Sequence, residues 1–137
     1  MKNRVFPMQE QRLPLARQVI GLAMKVHRTL GCGFNETVYR NALIIELRAA
    51  NLTLVVHPTL KVMYEGAEVG SFQADLIVED SLIVELKAID ALGKPHSAQL
   101  VNYLHATKID HGLLVSFGAQ SLEFKTKTRN YPPPNLY

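Results

Sequence analysis

The sequence predicts an α/β domain, and three observations carry that expectation. Leu15, Val19, Leu22, Ala23, Val26 and Leu30 recur at intervals of three and four, the stripe of an amphipathic helix. From Leu54 onward the period becomes strand-like, in short Val-, Ile- and Leu-rich runs bounded by turn residues. Gly112-Leu113-Leu114-Val115-Ser116-Phe117 is a continuous apolar run, as expected of a strand buried on both faces. In order, the chain reads helix, helix, three or four strands, helix, strand.

Each element has a local cause. Gly31 stops the first helix, and Gly31-Cys32-Gly33-Phe34 connects it to a second whose N-cap is Asn35. The second helix begins near Glu36, carries Val38, Tyr39, Ala42, Leu43, Ile45 and Leu47, and frays near Ala49-Ala50-Asn51. Leu54-Val55-Val56 and Lys61-Val62-Met63-Tyr64 are the first strands, with Glu65-Gly66 as a turn. Val69 to Val78 and Leu82 to Ala88 follow, separated by Glu79-Asp80-Ser81. Pro95 suits the first turn of a helix running to about Thr107. Ser121 to Thr128 adds an edge strand. The tail Tyr131-Pro132-Pro133-Pro134 cannot join a ladder, so 131–137 is expected to be loose.

Composition excludes more than it chooses. The 137 residues suffice for one domain with a core, and no repeat or long linker divides them, so 1–137 is expected to be a single domain. No run reaches the ~20 apolar residues that span a bilayer, and Met1 to Pro7 lacks the apolar core of a secretory signal. A single cysteine, Cys32, rules out an internal disulfide and fits a reducing cytoplasm, the expected location. A net charge of +3 is compatible with a nucleic-acid partner without demanding one. The histidines (His27, His57, His96, His105, His111) lack metal-ligand spacing and Cys32 has no adjacent base, which argues against a zinc or thiol enzyme. His96, just before the turn carrying Gln99, is the histidine best placed to matter.

Asp75 and Glu85-Leu86-Lys87 hold the most chemistry. Residues two apart in a strand share a face, so Glu85 and Lys87 project together while Leu82, Val84 and Leu86 face the other way. Charge thus sits on a sheet that otherwise favours burial, which is costly unless the charges are paired or bound to a metal. Two carboxylates aimed at one point are hard oxygen ligands for Mg²⁺ or Mn²⁺, and an ion relieves their mutual repulsion. Lys87 would then orient or deprotonate a water, or stabilise charge on a phosphate. The competing interpretation is a plain Glu-x-Lys surface pair. Register separates the two: Asp75 and Glu85 share a face as partners if Val78 pairs with Leu82 across Glu79 to Ser81, and a two-residue turn would split them.

The helices offer supporting groups. Gln99 and Tyr103 are four apart and share a face of the third helix, where Gln99 would hold a metal-bound water or a phosphate and Tyr103 would direct its hydroxyl inward. A solvated Gln99 on a half-buried helix is the plain alternative. Glu36 and Tyr39 share a face at the start of the second helix. Glu36 is explained by the helix dipole, or else is a third carboxylate for the metal.

Leu30-Gly31-Cys32-Gly33-Phe34-Asn35-Glu36-Thr37-Val38-Tyr39 resembles the pattern that names the GxxExxY protein family, a branch of the PD-(D/E)XK nuclease superfamily. Phe72 to Val78 resembles the strand carrying the branch's metal-binding aspartate, and Ile83 to Ala88 its E-x-K strand. Gln99-Leu100-Val101-Asn102-Tyr103-Leu104 is similar to its Q-x-x-x-Y-L helix, and Gly112 to Gly118 to the following strand. The resemblance covers roughly 15–118, the expected core. It implies a restriction-endonuclease-like α/β fold, a mixed β-sheet flanked by helices in the order α-β-β-β-α-β. It further implies Mg²⁺ or Mn²⁺ held by Asp75, Glu85 and the Leu86 carbonyl, with Glu36 as the helix acid, Lys87 positioning water, and Gln99 and Tyr103 in support. The branch often has an arginine two residues before the aspartate. Here that position is Gln73, expected on the same face as Asp75 and able to donate a hydrogen bond but carrying no charge.

Two functions follow from different classes. The first is a metal-dependent nuclease hydrolysing the phosphodiester bonds of DNA or RNA, with Lys125, Lys127 and Arg129 alternating along the last strand as a positive surface for the backbone. The same three residues also suit a charged edge that deters aggregation. The second is a non-catalytic nucleic-acid-binding or assembly module that keeps the fold. The intact Asp75, Glu85 and Lys87 set favours the first, because an unused buried charge is destabilising. A chain this compact leaves specificity to a homodimer or a partner protein.

Overall fold

The computed structural model describes residues 8–129, with side chains from residue 14 onward. The expected loose tail, 131–137, lies outside the described residues. Helices α1 (Met8–Leu30) and α2 (Glu36–Ala49) come first. Gly31, at φ +72°, takes the left-handed conformation that ends α1, and its N–H donates to the His27 carbonyl at 2.8 Å. Asn35 caps α2 as expected, its side chain accepting from the Val38 N–H at 3.2 Å. Tyr39 fastens this corner. Its buried hydroxyl donates to the Gly31 carbonyl at 2.5 Å and accepts from the Phe34 N–H at 3.2 Å. Its ring stacks on Phe117 at 4.5 Å, which fixes the start of α2 against the sheet.

The strands are β1 (Leu54–Val56), β2 (Thr59–Tyr64), β3 (Ala67–Gln73), β4 (Leu76–Val78), β5 (Leu82–Lys87), β6 (His111–Ser116) and β7 (Glu123–Thr128), with α3 (Lys94–Thr107) between β5 and β6. The main sheet has the order β1-β4-β5-β6-β7 and is mixed, since β5 and β6 are parallel and the other neighbours antiparallel. Helices flank it on both faces, as expected. On one face Leu76, Val78, Leu82, Val84, Leu86, Leu113, Val115 and Phe117 pack under α1 and α2. On the other, Ile77, Ile83 and Leu114 meet Leu100 and Leu104 of α3. The strand alternation read from the sequence therefore holds across β5, and Glu85 and Lys87 lie on the α3 face.

One expected element is corrected. Val69 to Val78 is not a single strand, because the chain leaves one sheet and enters another between Gln73 and Leu76. β2 and β3 form a separate two-stranded ribbon, and β1 and β4 belong to the main sheet. Together they make one long hairpin with a kink, bridged there by the His57 N–H to the Asp75 carbonyl at 2.9 Å and the Ala74 N–H to the Pro58 carbonyl at 3.2 Å. The cause sits on the opposite limb. Pro58 has no N–H to give a ladder, and His57 has φ +51°, so neither continues a regular strand. The ribbon leans on α3, where Phe72 stacks on Tyr103 with ring centroids 3.8 Å apart.

The ends of β5 and β6 are tied by close backbone approach. The Ser116 hydroxyl donates to the Ile89 carbonyl at 2.8 Å and accepts from its N–H at 3.1 Å. A Cβ at Gly118 would lie 2.3 Å from the Ile89 carbonyl oxygen. Gly118→Ala therefore forces the backbones apart and is expected to destabilise the protein by about 3 kcal/mol, as read from urea unfolding midpoints.

Candidate active site

The site is built where β4 fails to extend along β5. Val78 pairs with Leu82, Ile77 with Ile83 and Leu76 with Val84, the register required to place Asp75 opposite Glu85. Glu79 and Asp80, both at φ +52°, make the reversal, and the Ser81 N–H closes it onto the Val78 carbonyl at 3.1 Å. The paired residues of β4 start at Leu76, so ladder bonding stops at the level of Glu85 and Leu86. Side chains take over there. The Leu86 N–H donates to Asp75 Oδ2 at 2.8 Å, and the Asp75 N–H donates to Glu85 Oε1 at 3.0 Å. Each acid thus satisfies a backbone group of the opposing limb.

The backbone also orients the expected carbonyl ligand. The Lys87 carbonyl accepts from the Phe117 N–H of the neighbouring limb at 2.9 Å. Alternate residues of a strand direct their backbone groups to opposite neighbours, so Leu86 directs its own toward Asp75.

Burial sets the electrostatics. Glu85 is 7% exposed, and its carboxyl is pushed up to about 8, first by burial and then by the negative charge of Asp75. The Asp75 N–H and the Lys87 ammonium act in the opposite direction without overcoming these. Tyr103 also stands at the site. Its phenol is held above its ordinary value by burial and then by the charges of Glu85 and Asp75, so it keeps its proton and can donate.

Sequence reasoning missed one member. Arg40, one turn beyond Glu36 on α2, places Nη1 3.4 Å from Asp75 Oδ1, with both side chains 15% exposed. The four-residue spacing from Glu36 was its only sequence signal.

The other candidates lie farther out. Gln99 is exposed, one helical turn before Tyr103 on α3. Glu36 is exposed in the first turn of α2. Among the described residues no three His, Cys, Asp or Glu side chains are grouped to hold a metal, so two carboxylates converge here and not three. Gln73 ends β3 opposite Thr59, on the ribbon side of the kink, so the strand alternation that would align it with Asp75 is broken. Lys125, Lys127 and Arg129 follow the edge strand β7 and its end. Lys125 is level with Leu114, itself level with Glu85, while Arg129 pairs with Asp110 at 2.9 Å. His96 serves the fold, its Nδ1 accepting from the Gly93 N–H at 3.0 Å at the start of α3.

The donor set suits a hard divalent ion. Asp75 and Glu85 bring carboxyl oxygens to one point, and a doubly charged cation would replace the Glu85 proton, offsetting both the burial penalty on its charge and the repulsion from Asp75.

Comparison with known proteins bears on the family and the fold. The sequence model of the PD-(D/E)XK nuclease superfamily matches residues 14–128, which contain Arg40, Asp75, Glu85, Lys87 and Tyr103. Among curated proteins none matches. The crystal structure of SSO0001 is similar in fold, with a TM-score of 0.53 at 18% identity, over 86% of this chain and 61% of that one. This chain therefore spans about three fifths of the length of SSO0001.

The Glu85 shift has a measurable consequence in metal-free protein. Between pH 4.5 and about 8 the unfolded chain has lost this proton while the folded chain keeps it, so stability falls as pH rises. The decline contributed by this one group reaches at most about 1.4 kcal/mol per pH unit. Glu85→Gln cannot ionise and is expected to flatten the curve. Unfolding midpoints across that range in EDTA, equally steep in the variant and the wild type, would sink this assignment.

Proposed function

Because the chain belongs to the PD-(D/E)XK nuclease superfamily, we propose that it is a metal-dependent nuclease of the GxxExxY branch, hydrolysing phosphodiester bonds of nucleic acid. The observation that carries this reading is the Asp75–Glu85 pair, Glu85 buried and Asp75 nearly so, each bonded to the other's strand, with Lys87 on the same face of β5 as Glu85. Gly33, Glu36 and Tyr39 at the α1–α2 corner support the branch assignment.

Asp75 and Glu85 would hold Mg²⁺ or Mn²⁺, with the Leu86 carbonyl beside them; Glu36, exposed in the first turn of α2, would act only as an outer acid. The ion supplies charge stabilisation on the phosphate oxygens and a more acidic water. Lys87 holds the attacking water and offsets negative charge as it develops. Tyr103, protonated beside the acids, donates a hydrogen bond toward the same point, and Gln99 one turn earlier steadies the substrate. Lys125 and Lys127 would give the nucleic-acid backbone a positive edge to follow, with Arg129, paired with Asp110, at its end. Gln73 adds a neutral hydrogen-bonding contact from the ribbon. No helix among the described residues is long and apolar enough to cross a membrane.

The test pairs calorimetry with a cleavage screen on single- and double-stranded DNA and RNA. Asp75→Asn and Glu85→Gln together are expected to abolish Mn²⁺ binding. Lys87→Ala should retain it yet lose on the order of 10²–10⁴ in kcat. Wild-type protein that binds Mn²⁺ and cuts none of the four substrates would instead establish the non-catalytic module.

A further inference from the structure

Asp75 spends its two carboxylate oxygens differently. Oδ2 accepts the backbone N–H of Leu86 at 2.8 Å, a bond that holds the acid against β5. Oδ1 faces Arg40, whose Nη1 stands 3.4 Å away. That separation is long for a charge-assisted hydrogen bond, which closes at about 2.7–2.9 Å. The contact uses one nitrogen of a guanidinium that carries five N–H donors. The pair is therefore an ion pair without the two-pronged geometry that would lock it. Both side chains are 15% exposed, so water screens the attraction only in part.

The mounting of Arg40 is rigid where its side chain is not. The preceding residue, Tyr39, is fixed by its stack on Phe117 and by two hydrogen bonds to the α1–α2 connector. These contacts fix the start of α2, and with it the backbone of Arg40, beside Asp75. The side chain of Arg40 can still turn.

We propose that Arg40 occupies Asp75 Oδ1 in the metal-free protein and is handed over to a phosphate oxygen of the substrate when a divalent ion takes that oxygen. The first half rests on competition: the Leu86 N–H already takes up one acceptor site of Oδ2, so Oδ1 is the less encumbered oxygen for an ion, and there the ion would meet a guanidinium of like charge. The second half rests on the nuclease reading above. Displaced but still tethered, the guanidinium faces whatever anion the ion attracts, and its planar donors match a phosphodiester. Arg40 is a positioning residue for Asp75 in one state and a substrate-binding residue in the other.

The two halves predict changes of opposite sign, which a purely structural role cannot produce. Mn²⁺ alone is titrated calorimetrically into wild type, Arg40→Gln and Arg40→Lys, with metal-free thermal unfolding confirming that each is folded. Fluorescein-labelled DNA and RNA oligonucleotides are then titrated in Ca²⁺. Arg40→Gln is expected to bind Mn²⁺ at least about threefold tighter and oligonucleotide about tenfold more weakly. Arg40→Lys should stay near wild type in Mn²⁺ affinity and lose part of the oligonucleotide affinity, because its ammonium keeps the charge without the planar donors. Weaker or unchanged Mn²⁺ binding by Arg40→Gln overturns the competition, and unchanged oligonucleotide affinity overturns the handover. Wild-type protein that binds Mn²⁺ but no oligonucleotide overturns the nuclease reading and the handover together, while tighter Mn²⁺ binding by Arg40→Gln would still uphold the competition.

Discussion

The kink between Gln73 and Leu76 is the constraint on which the site depends. Once β4 stops pairing with β5 at Leu76, the Leu86 N–H and the Asp75 N–H lose their ladder partners in a part of the molecule that water reaches poorly. Buried donors left unpaired cost about 1–3 kcal/mol each. The two carboxylates fill the gap, Asp75 bonding the Leu86 N–H and Glu85 the Asp75 N–H. Chemistry and fold are thus served by the same atoms. Truncating either acid to Ala would remove a proposed ligand and orphan a backbone donor at once, whereas Asn and Gln keep an acceptor oxygen and separate the two effects.

Geometry around the kink is supplied from both faces of the sheet. α2 delivers Arg40 from one side, and α3 delivers Tyr103 from the other. The β2–β3 ribbon, thrown out of the sheet by the same kink, stacks Phe72 on Tyr103 and so braces that ring. A bend caused by Pro58 and His57 therefore orients groups far from it in sequence. The Tyr39 hydroxyl and ring do comparable work at the α1–α2 corner, where the tyrosine of the GxxExxY pattern is buried in the fold rather than directed at the acids.

Much of this was legible in the chain. The helical stripe of α1, the Asn35 cap, the helix beginning near Pro95 and the apolar β6 all follow from local pattern, and the structure has them. The Val78–Leu82 register, and with it the meeting of Asp75 and Glu85, was a consequence of a three-residue turn. What could not be read was long-range. Val69 to Val78 has uninterrupted strand character, and the reason it breaks lies across the hairpin, in a proline that local periodicity does not associate with Asp75. Gln73 was assigned to the face of Asp75 for the same reason. Arg40 was invisible because its partner is 35 residues away and arginine on an exposed helical turn is ordinarily solvated. The spacing of Lys125, Lys127 and Arg129 was correct, but only the fold reveals that Asp110 neutralises the last.

Charge balance links these pieces. Two acids, Asp75 and Glu85, face two cations, Arg40 and Lys87, so the fully ionised cluster is neutral without any ion. Keeping the proton on Glu85 leaves it with one excess positive charge. A divalent cation both removes the reason for that proton and tips the cluster to two excess positive charges. The metal-free cluster, at one excess positive charge, attracts an anion less strongly than the loaded one at two, and in the proposed exchange it is in the loaded state that Arg40 gives up its carboxylate oxygen. Affinity for a phosphodiester would thereby rise when the ion binds, on top of the mild positive charge of the whole protein.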